Sequence, residues 1–137
     1  MKITAAVRNA GSSHTVRVET GQTTRTLAVP AKADGPGSSI NGGEFLLLAL
    51  ATCYCNDLYR EAARLGIPLE AVEVEASADF PGIGLAATNI AYRARVESPA
   101  GEARVRELLQ QTDAVAEVHN TVRAGVPVQW QAWDAHG

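Results

Sequence analysis

The fold of this chain is decided by Asn41-Gly-Gly-Glu-Phe-Leu-Leu-Leu-Ala-Leu-Ala-Thr-Cys-Tyr-Cys-Asn-Asp-Leu-Tyr-Arg-Glu-Ala-Ala-Arg-Leu65. From Glu44 to Leu65 it contains neither glycine nor proline, which predicts one helix of about 22 residues and roughly 33 Å. Asn41 followed by Glu44 matches a capping box at the start of this helix, and Gly66 predicts its end. The first half of the helix is apolar all round, which predicts burial on every side.

Strand patterns stand on both sides of this helix. The predicted strands are Lys2–Val7, His14–Thr20, Thr23–Val29, Val72–Ala78 and Thr88–Val96, and the predicted later elements are helix Glu102–Asp113, helical piece Ala114–Arg123 and edge strand Val126–Trp133. The order βββ-α-ββ-α-(α)-β differs from the strict alternation of a parallel sheet. It predicts an α+β fold in which the first half of the long helix runs through the middle of the structure.

Composition narrows the class of protein. The chain has 137 residues, 46% apolar and 20% charged, with a net charge of −3, so we expect a single domain over 1–137. Basic residues form no stripe, which argues against nucleic-acid binding. An apolar run of about 18 residues and a signal-peptide pattern are both missing from the sequence, so we expect a cytoplasmic protein without a membrane partner. A dimer would let a chain of this size bury more surface.

Two cysteines are the first candidates for chemistry. Cys53 and Cys55 are two residues apart, so on a helix they point about 200° away from each other. They therefore cannot share a metal ion or form a disulfide without unwinding, and we predict neither a metal site nor a cofactor. Cys53 heads a polar stripe that contains Asn56, Asp57 and Arg60, so it is the better candidate for a reactive thiol. The alternative is that both are inert cysteines of the core, because free cysteine is commonly buried.

A reactive Cys53 needs a nearby positive charge, because the thiolate is the nucleophile. Asp57 opposes this, since a negative charge raises a thiol pKa. Arg25, which shares a strand face with Leu27 and Val29, is the best cation that the pattern offers. Glu44 is either only a capping residue or a carboxylate that positions a catalytic arginine. A further residue, His119, is either structural or a supporting site residue.

The run from Asn41 to Cys53 resembles the OsmC/Ohr family of thiol peroxidases, in its Asn-x-x-Glu start, apolar helical run and cysteine near the helix middle. The resemblance implies an OsmC-like fold, with a long central helix wrapped by antiparallel sheet, and an intertwined homodimer with active sites at the subunit interface. It implies that Cys53 is the peroxidatic cysteine and that Glu44 is retained. The family's activating arginine comes from the N-terminal strands, where the candidates are Arg8, Arg17 and Arg25.

One part of the family pattern is altered. The segment that carries the second family cysteine reads Ala116-Glu-Val-His119, so the cysteine is replaced by Ala116 and the proline by Glu117, while the histidine stays. Oxidised Cys53 would then need an external thiol, or Cys55 after local unwinding. The resemblance implies reduction of a small hydrophobic peroxide in oxidative stress defence. The alternative is a homodimer that binds a small apolar ligand, or senses redox state, without catalysis.

Overall fold

The computed structural model describes residues 1–133 and forms two compact units, Met1–Leu46 and a second that begins at Leu47. The strands and helices are β1 (Ile3–Ala10), β2 (Ser13–Thr20), β3 (Thr23–Leu27), α1 (Gly42–Leu65), β4 (Ala71–Asp79), β5 (Thr88–Glu97), α2 (Glu102–Val115) and α3 (Glu117–Ala124). Both sheets are antiparallel, which confirms the predicted α+β class.

The first unit contains a three-stranded sheet in the order β1-β2-β3. Val16 on β2 lies opposite Val7 on β1 and Leu27 on β3, and it is the buried centre of this sheet. The connection between β2 and β3 needs Gly21, whose φ of 58° lies in the left-handed region that glycine adopts without strain. The strand that alternating apolar and polar residues predict over His14–Thr20 is formed as β2.

The second unit packs helices against the β4–β5 hairpin. Val72 and Val74 face the helices, whereas Glu73 and Glu75 on the opposite face pair with arginines of β5. This period of two is the reason that β4 forms a half-buried strand. The buried core residues are Tyr54, Leu58, Ala62, Ile67, Leu108 and Ala116.

Helix α1 begins and ends as its sequence predicts. The Asn41 N–H donates to Glu44 Oε1 at 3.0 Å and the Glu44 N–H donates to Asn41 Oδ1 at 2.8 Å, which is a reciprocal capping box. At the other end Gly66 has a φ of 70°, and the Ile67 N–H bonds back to the Ala62 carbonyl. These bonds satisfy backbone groups that a helix end would otherwise leave unpaired.

The predicted burial of the first half of α1 on every side is wrong for the single chain. Leu50 is only 2% exposed, but Leu48 on another side of the helix is 57% exposed. The described residues of one chain bury only part of the apolar surface of this half of the helix. An apolar surface consequently remains open on this half of the helix.

The predicted edge strand Val126–Trp133 is also wrong for the described chain, since residues 126–133 carry no regular structure. Val128, Trp130 and Trp133 are 98%, 89% and 95% exposed. A strand needs a neighbouring strand for its backbone bonds, and Pro127 has no N–H to donate. The alternating pattern is present in the sequence, but none of the described strands pairs with it. In the described part of the chain, no helix is long and apolar enough to cross a membrane.

Candidate active site

Cys53 lies on α1 between two carboxylates. Its Sγ donates to Asp57 Oδ2 at 3.4 Å, one helical turn further along, and Glu117 Oε2 at the start of α3 lies 4.0 Å away. The thiol is half-buried. Cys53 and Asp57 therefore lie on one face of α1, as predicted, and Glu117 of α3 places a second carboxylate beside the thiol.

Arg60 joins the same two carboxylates from the other side. Its Nη1 lies 3.2 Å from Asp57 Oδ1 and 3.0 Å from Glu117 Oε1, while its Nε donates to Glu61 Oε2 at 3.1 Å. Thiol, Asp57, guanidinium and Glu117 thus form a closed ring of polar contacts, which we call the Cys53 cluster. Asp57 is 6% exposed, and a carboxylate buried to this extent needs such a partner.

The charges of this cluster favour the protonated thiol. Partial burial raises the pKa of Cys53, and the Asp57 and Glu117 carboxylates raise it further, although a backbone hydrogen bond from Val118 opposes them. Burial also raises the pKa of Asp57, and the neighbouring Glu117 adds to this rise. The pKa of Glu117 is lowered, first by its own backbone N–H. Asp57, the more buried of the two carboxylates, is therefore the better proton acceptor.

The donor atoms of Cys53, Asp57 and Glu117 all lie within 4.8 Å of one another, a spacing that a metal ion could bridge. The chemistry of the set is less favourable, because Arg60 already contacts both carboxylates with a positive charge. A divalent cation would have to displace that guanidinium. The donor set therefore fits a thiol cluster held by hydrogen bonds and ion pairs better than a metal centre.

The other predicted site residues lie elsewhere. Glu44 is engaged in the capping box with Asn41. Arg25 lies on β3 opposite Val18 and is exposed, not directed into the core as its strand phase predicts, since a three-stranded sheet gives that end of β3 no cover in its own unit. Cys55 is free and half-buried. Among the described residues, the cation of the Cys53 cluster is thus Arg60, which the sequence pattern placed on the polar stripe without assigning it this role.

His119 belongs to an aromatic cluster beside this site. Its ring lies 4.4 Å from the Tyr92 ring and 5.7 Å from the Tyr54 ring, measured between centroids. It is 3% exposed, and neither ring nitrogen has a hydrogen-bond partner among residues 1–133. Burial lowers the pKa of His119, as does the nearby Arg123 charge, so the ring is held neutral. The position of this residue is that of a packing histidine.

A tyrosine–carboxylate pair supports the aromatic cluster. Tyr92 Oη donates to Asp113 Oδ1, which Arg123 also contacts. The bond from Tyr92 is the main cause of a lowered pKa at Asp113. Tyr54 donates to the Leu109 carbonyl at 2.6 Å, and burial raises its pKa to about 12.

An open cavity of about 360 Å³ adjoins these side chains. Its walls are mainly apolar; they are formed by Leu50, Ala87, Thr88, Asn89, Ile90, Ala91, Tyr92, His119, Val122 and Arg123. This volume falls in the range of small-molecule sites.

Sequence reasoning missed two parts of the site. Glu117 was noticed only as a replacement for proline, and the 64 residues that separate it from Cys53 leave no periodic signal. Asp113 and Tyr92 were missed for the same reason, since they lie on different elements. Arg60 was placed on the helix face that carries Cys53 and Asp57, but its contact with both carboxylates was not predicted.

Comparisons with known proteins identify the family. The model of the family described as "OsmC-like protein" matches residues 35–131. The uncharacterized protein YmaD of Bacillus subtilis (strain 168) is 36% identical over 58 residues, which are 42% of this chain and 39% of that relative. The matched segment therefore spans well under half of the relative's length.

Solved structures agree on the fold. An OsmC-like protein from Mycoplasma pneumoniae has a TM-score of 0.62 at 21% identity, covering 91% of this chain and 87% of that chain. An organic hydroperoxide resistance protein OsmC from Legionella pneumophila has a TM-score of 0.59 at 16% identity, covering 90% of each. An organic hydroperoxide resistance protein from Elizabethkingia anophelis has a TM-score of 0.62 at 14% identity, covering 90% and 89%. At these identities the structures show the fold, and with the family match they lead to one conclusion: the chain belongs to the OsmC-like protein family.

Proposed function

We propose that the protein reduces organic hydroperoxides through Cys53, with an external thiol as reductant, in defence against oxidative stress. The observation that carries the proposal is the position of Cys53 on α1, half-buried and in contact with Asp57. The names of two of its structural relatives, organic hydroperoxide resistance proteins, support the same chemistry.

The reaction is a two-step exchange at sulfur. Cys53 sulfur attacks the distal peroxide oxygen, the O–O bond breaks, and the products are a Cys53 sulfenic acid and an alcohol. A small thiol then attacks the sulfenic sulfur and releases water, and a second thiol reduces the mixed disulfide. Because Ala116 stands in place of the second family cysteine, we propose that the thiol that resolves the sulfenic acid is external. The cytoplasm keeps such thiols reduced, so we propose that location.

We propose that the working form is a homodimer. The exposed face of α1 at Leu48 and the exposed Trp130 and Trp133 are apolar surfaces that a second copy can cover. Obligate dimers bury more than about 2,000 Å² in total. Arg25 is proposed as a thiolate-stabilising cation and Glu44 as its positioning carboxylate, both acting in that assembly; Arg8 and Arg17 remain the alternatives to Arg25.

The test is a peroxide titration followed by intact-mass analysis. One equivalent of cumene hydroperoxide should produce a sulfenic acid at Cys53 that dimedone traps, and excess peroxide should yield the sulfinic form. Cys55→Ser should behave like the wild type, because Cys55 lies on another face of the helix. A loss of two hydrogens that disappears in Cys55→Ser would instead show an internal disulfide and an opening of α1.

A second candidate function is a homodimer that binds a small apolar ligand or senses redox state. The raised pKa of Cys53 favours it, because a protonated thiol is a poor nucleophile. The open cavity beside His119 offers space for such a ligand. Failure of cumene hydroperoxide to oxidise Cys53 would favour this candidate over the peroxidase.

A further inference from the structure

The two oxygens of Asp57 face different partners. Oδ2 accepts the hydrogen bond of the Cys53 thiol at 3.4 Å, and Oδ1 contacts Arg60 at 3.2 Å. The carboxylate is buried, so it meets the thiol proton without a layer of water between them. It is therefore a proton acceptor already in contact with the atom that reacts.

We propose that Asp57 is a catalytic residue that takes the thiol proton of Cys53 and returns it to the leaving oxygen of the hydroperoxide. This step rests on the proposed function above. As sulfur bonds to the distal oxygen and the O–O bond breaks, the S–H proton passes to Asp57 Oδ2. Asp57 then protonates the departing alkoxide, which leaves as the alcohol. The sum is one thiol and one hydroperoxide converted to one sulfenic acid and one alcohol.

Asp57 fits this role better than Glu117. Glu117 Oε2 is 4.0 Å from Sγ, and its side chain is 67% exposed, against 9% for that of Asp57. Burial raises the pKa of Asp57, which makes its carboxylate a stronger proton acceptor than an exposed one. Two other groups face the atoms between which the proton moves: Arg60 contacts Asp57, and the Val118 N–H faces the Cys53 sulfur. The Arg60 guanidinium keeps its charge throughout the transfer.

Two rates at Cys53 should respond in opposite directions when Asp57 loses its charge. Alkylation needs only the thiolate, and a negative neighbour suppresses the thiolate. Peroxide reduction by the proposed route needs a proton acceptor as well. Asp57→Asn should thus speed alkylation and slow peroxide reduction, whereas a residue that acts only through its charge changes both rates in the same direction.

The experiment measures both rates in a Cys55→Ser background, with iodoacetamide and with one equivalent of cumene hydroperoxide. For Asp57→Asn we expect alkylation to become several-fold faster at pH 7, and peroxide reduction to become about 100-fold slower. Glu117→Gln is the matched control and should speed both reactions. Asp57→Glu, which keeps a carboxylate, should recover part of the peroxide rate. Circular dichroism establishes that each variant is folded.

A pH profile of the unmodified protein provides a test that no folding defect can affect. Below the thiol pKa, alkylation should fall about tenfold per pH unit with the thiolate fraction. Peroxide reduction should stay nearly level until Asp57 itself becomes protonated. Parallel profiles, or an Asp57→Asn variant in which both rates rise, would overturn the role of Asp57. If the unmodified protein is alkylated but never oxidised by peroxide, the proposed function itself fails.

Discussion

The two halves of α1 depart in different ways from the usual burial of apolar side chains and exposure of charged ones. In the first half Leu48 is 57% exposed, whereas in the second half Asp57 and Glu61 are 6% and 7% exposed. The buried carboxylates are tolerated because Arg60 contacts both of them. The exposed leucine has no such explanation within one chain. The comparison teaches that pairing with Arg60 lets the second half bury two carboxylates, whereas the described residues leave an apolar side chain of the first half uncovered.

The largest effect should follow from a charge placed on the first half. Leu48→Arg would put an unpaired guanidinium into the proposed dimer interface, at a loss on the order of 5 kcal/mol of association free energy. Sedimentation velocity at micromolar concentration should then show a monomer. Ala63→Arg adds the same charge on the exposed face of the second half and should leave the dimer intact. A Leu48→Arg dimer of unchanged affinity would contradict the proposed interface.

The second half can be tested through its own core. Leu58 is fully buried, so Leu58→Ala should lower the free energy of unfolding by about 2–5 kcal/mol through lost contacts and a residual cavity. Urea denaturation measures this loss. Leu85→Ala, at a leucine that is 62% exposed, should change stability by less than about 0.5 kcal/mol. Equal losses at the two positions would refute the packing assigned to α1.

A pH dependence should come from His119, which packs against Tyr54 of the second half. Burial lowers the folded-state pKa of His119 below its unfolded value of 6.5, so the unfolded chain binds its proton first. Stability from this residue is present above pH 6.5 and is lost as the pH falls toward the lowered value. Thermal unfolding between pH 7.5 and about 5 should show this loss in the wild type.

His119→Phe is the control, because phenylalanine keeps the aromatic packing and cannot be protonated. Its stability should change less across the same pH interval. The raised pKa of Asp57 contributes with the opposite sign, but it is common to both proteins and cancels in their difference. Equal pH slopes for the two proteins would show that His119 does not titrate in this interval.

The smallest effect should come from the start of α1. Glu44→Ala removes one hydrogen bond of the capping box and should reduce stability by about 1 kcal/mol. Glu44→Gln can keep that bond, so its stability should stay near the wild-type value. Peroxide reduction by Glu44→Gln then separates the two roles of this residue. Full activity would leave only the capping role, whereas lost activity with retained stability would support a positioning role toward Arg25.

Local patterns predicted most of the fold. The strands of both sheets and the three helices of the described residues lie within a few residues of their predicted bounds. The reason is that hydrophobic periodicity, and the residues that end a helix or strand, are local features of the sequence. The exception, residues 126–133, alternates like a strand but has no described strand beside it. Alternation indicates which face of a strand is apolar, but it does not provide the neighbouring strand that the backbone N–H and C=O groups need for hydrogen bonding.

The candidate site was predictable only where it lies on one element. The sequence by itself determined α1, its capping box and the spacing that puts Asp57 beside Cys53, since each depends on residues within one or two helical turns. The tertiary structure decided that Glu117 closes the Cys53 cluster and that His119 is buried against two tyrosines. Those contacts join α1 to α3 and β5, and the packing of distant segments leaves no period in the sequence.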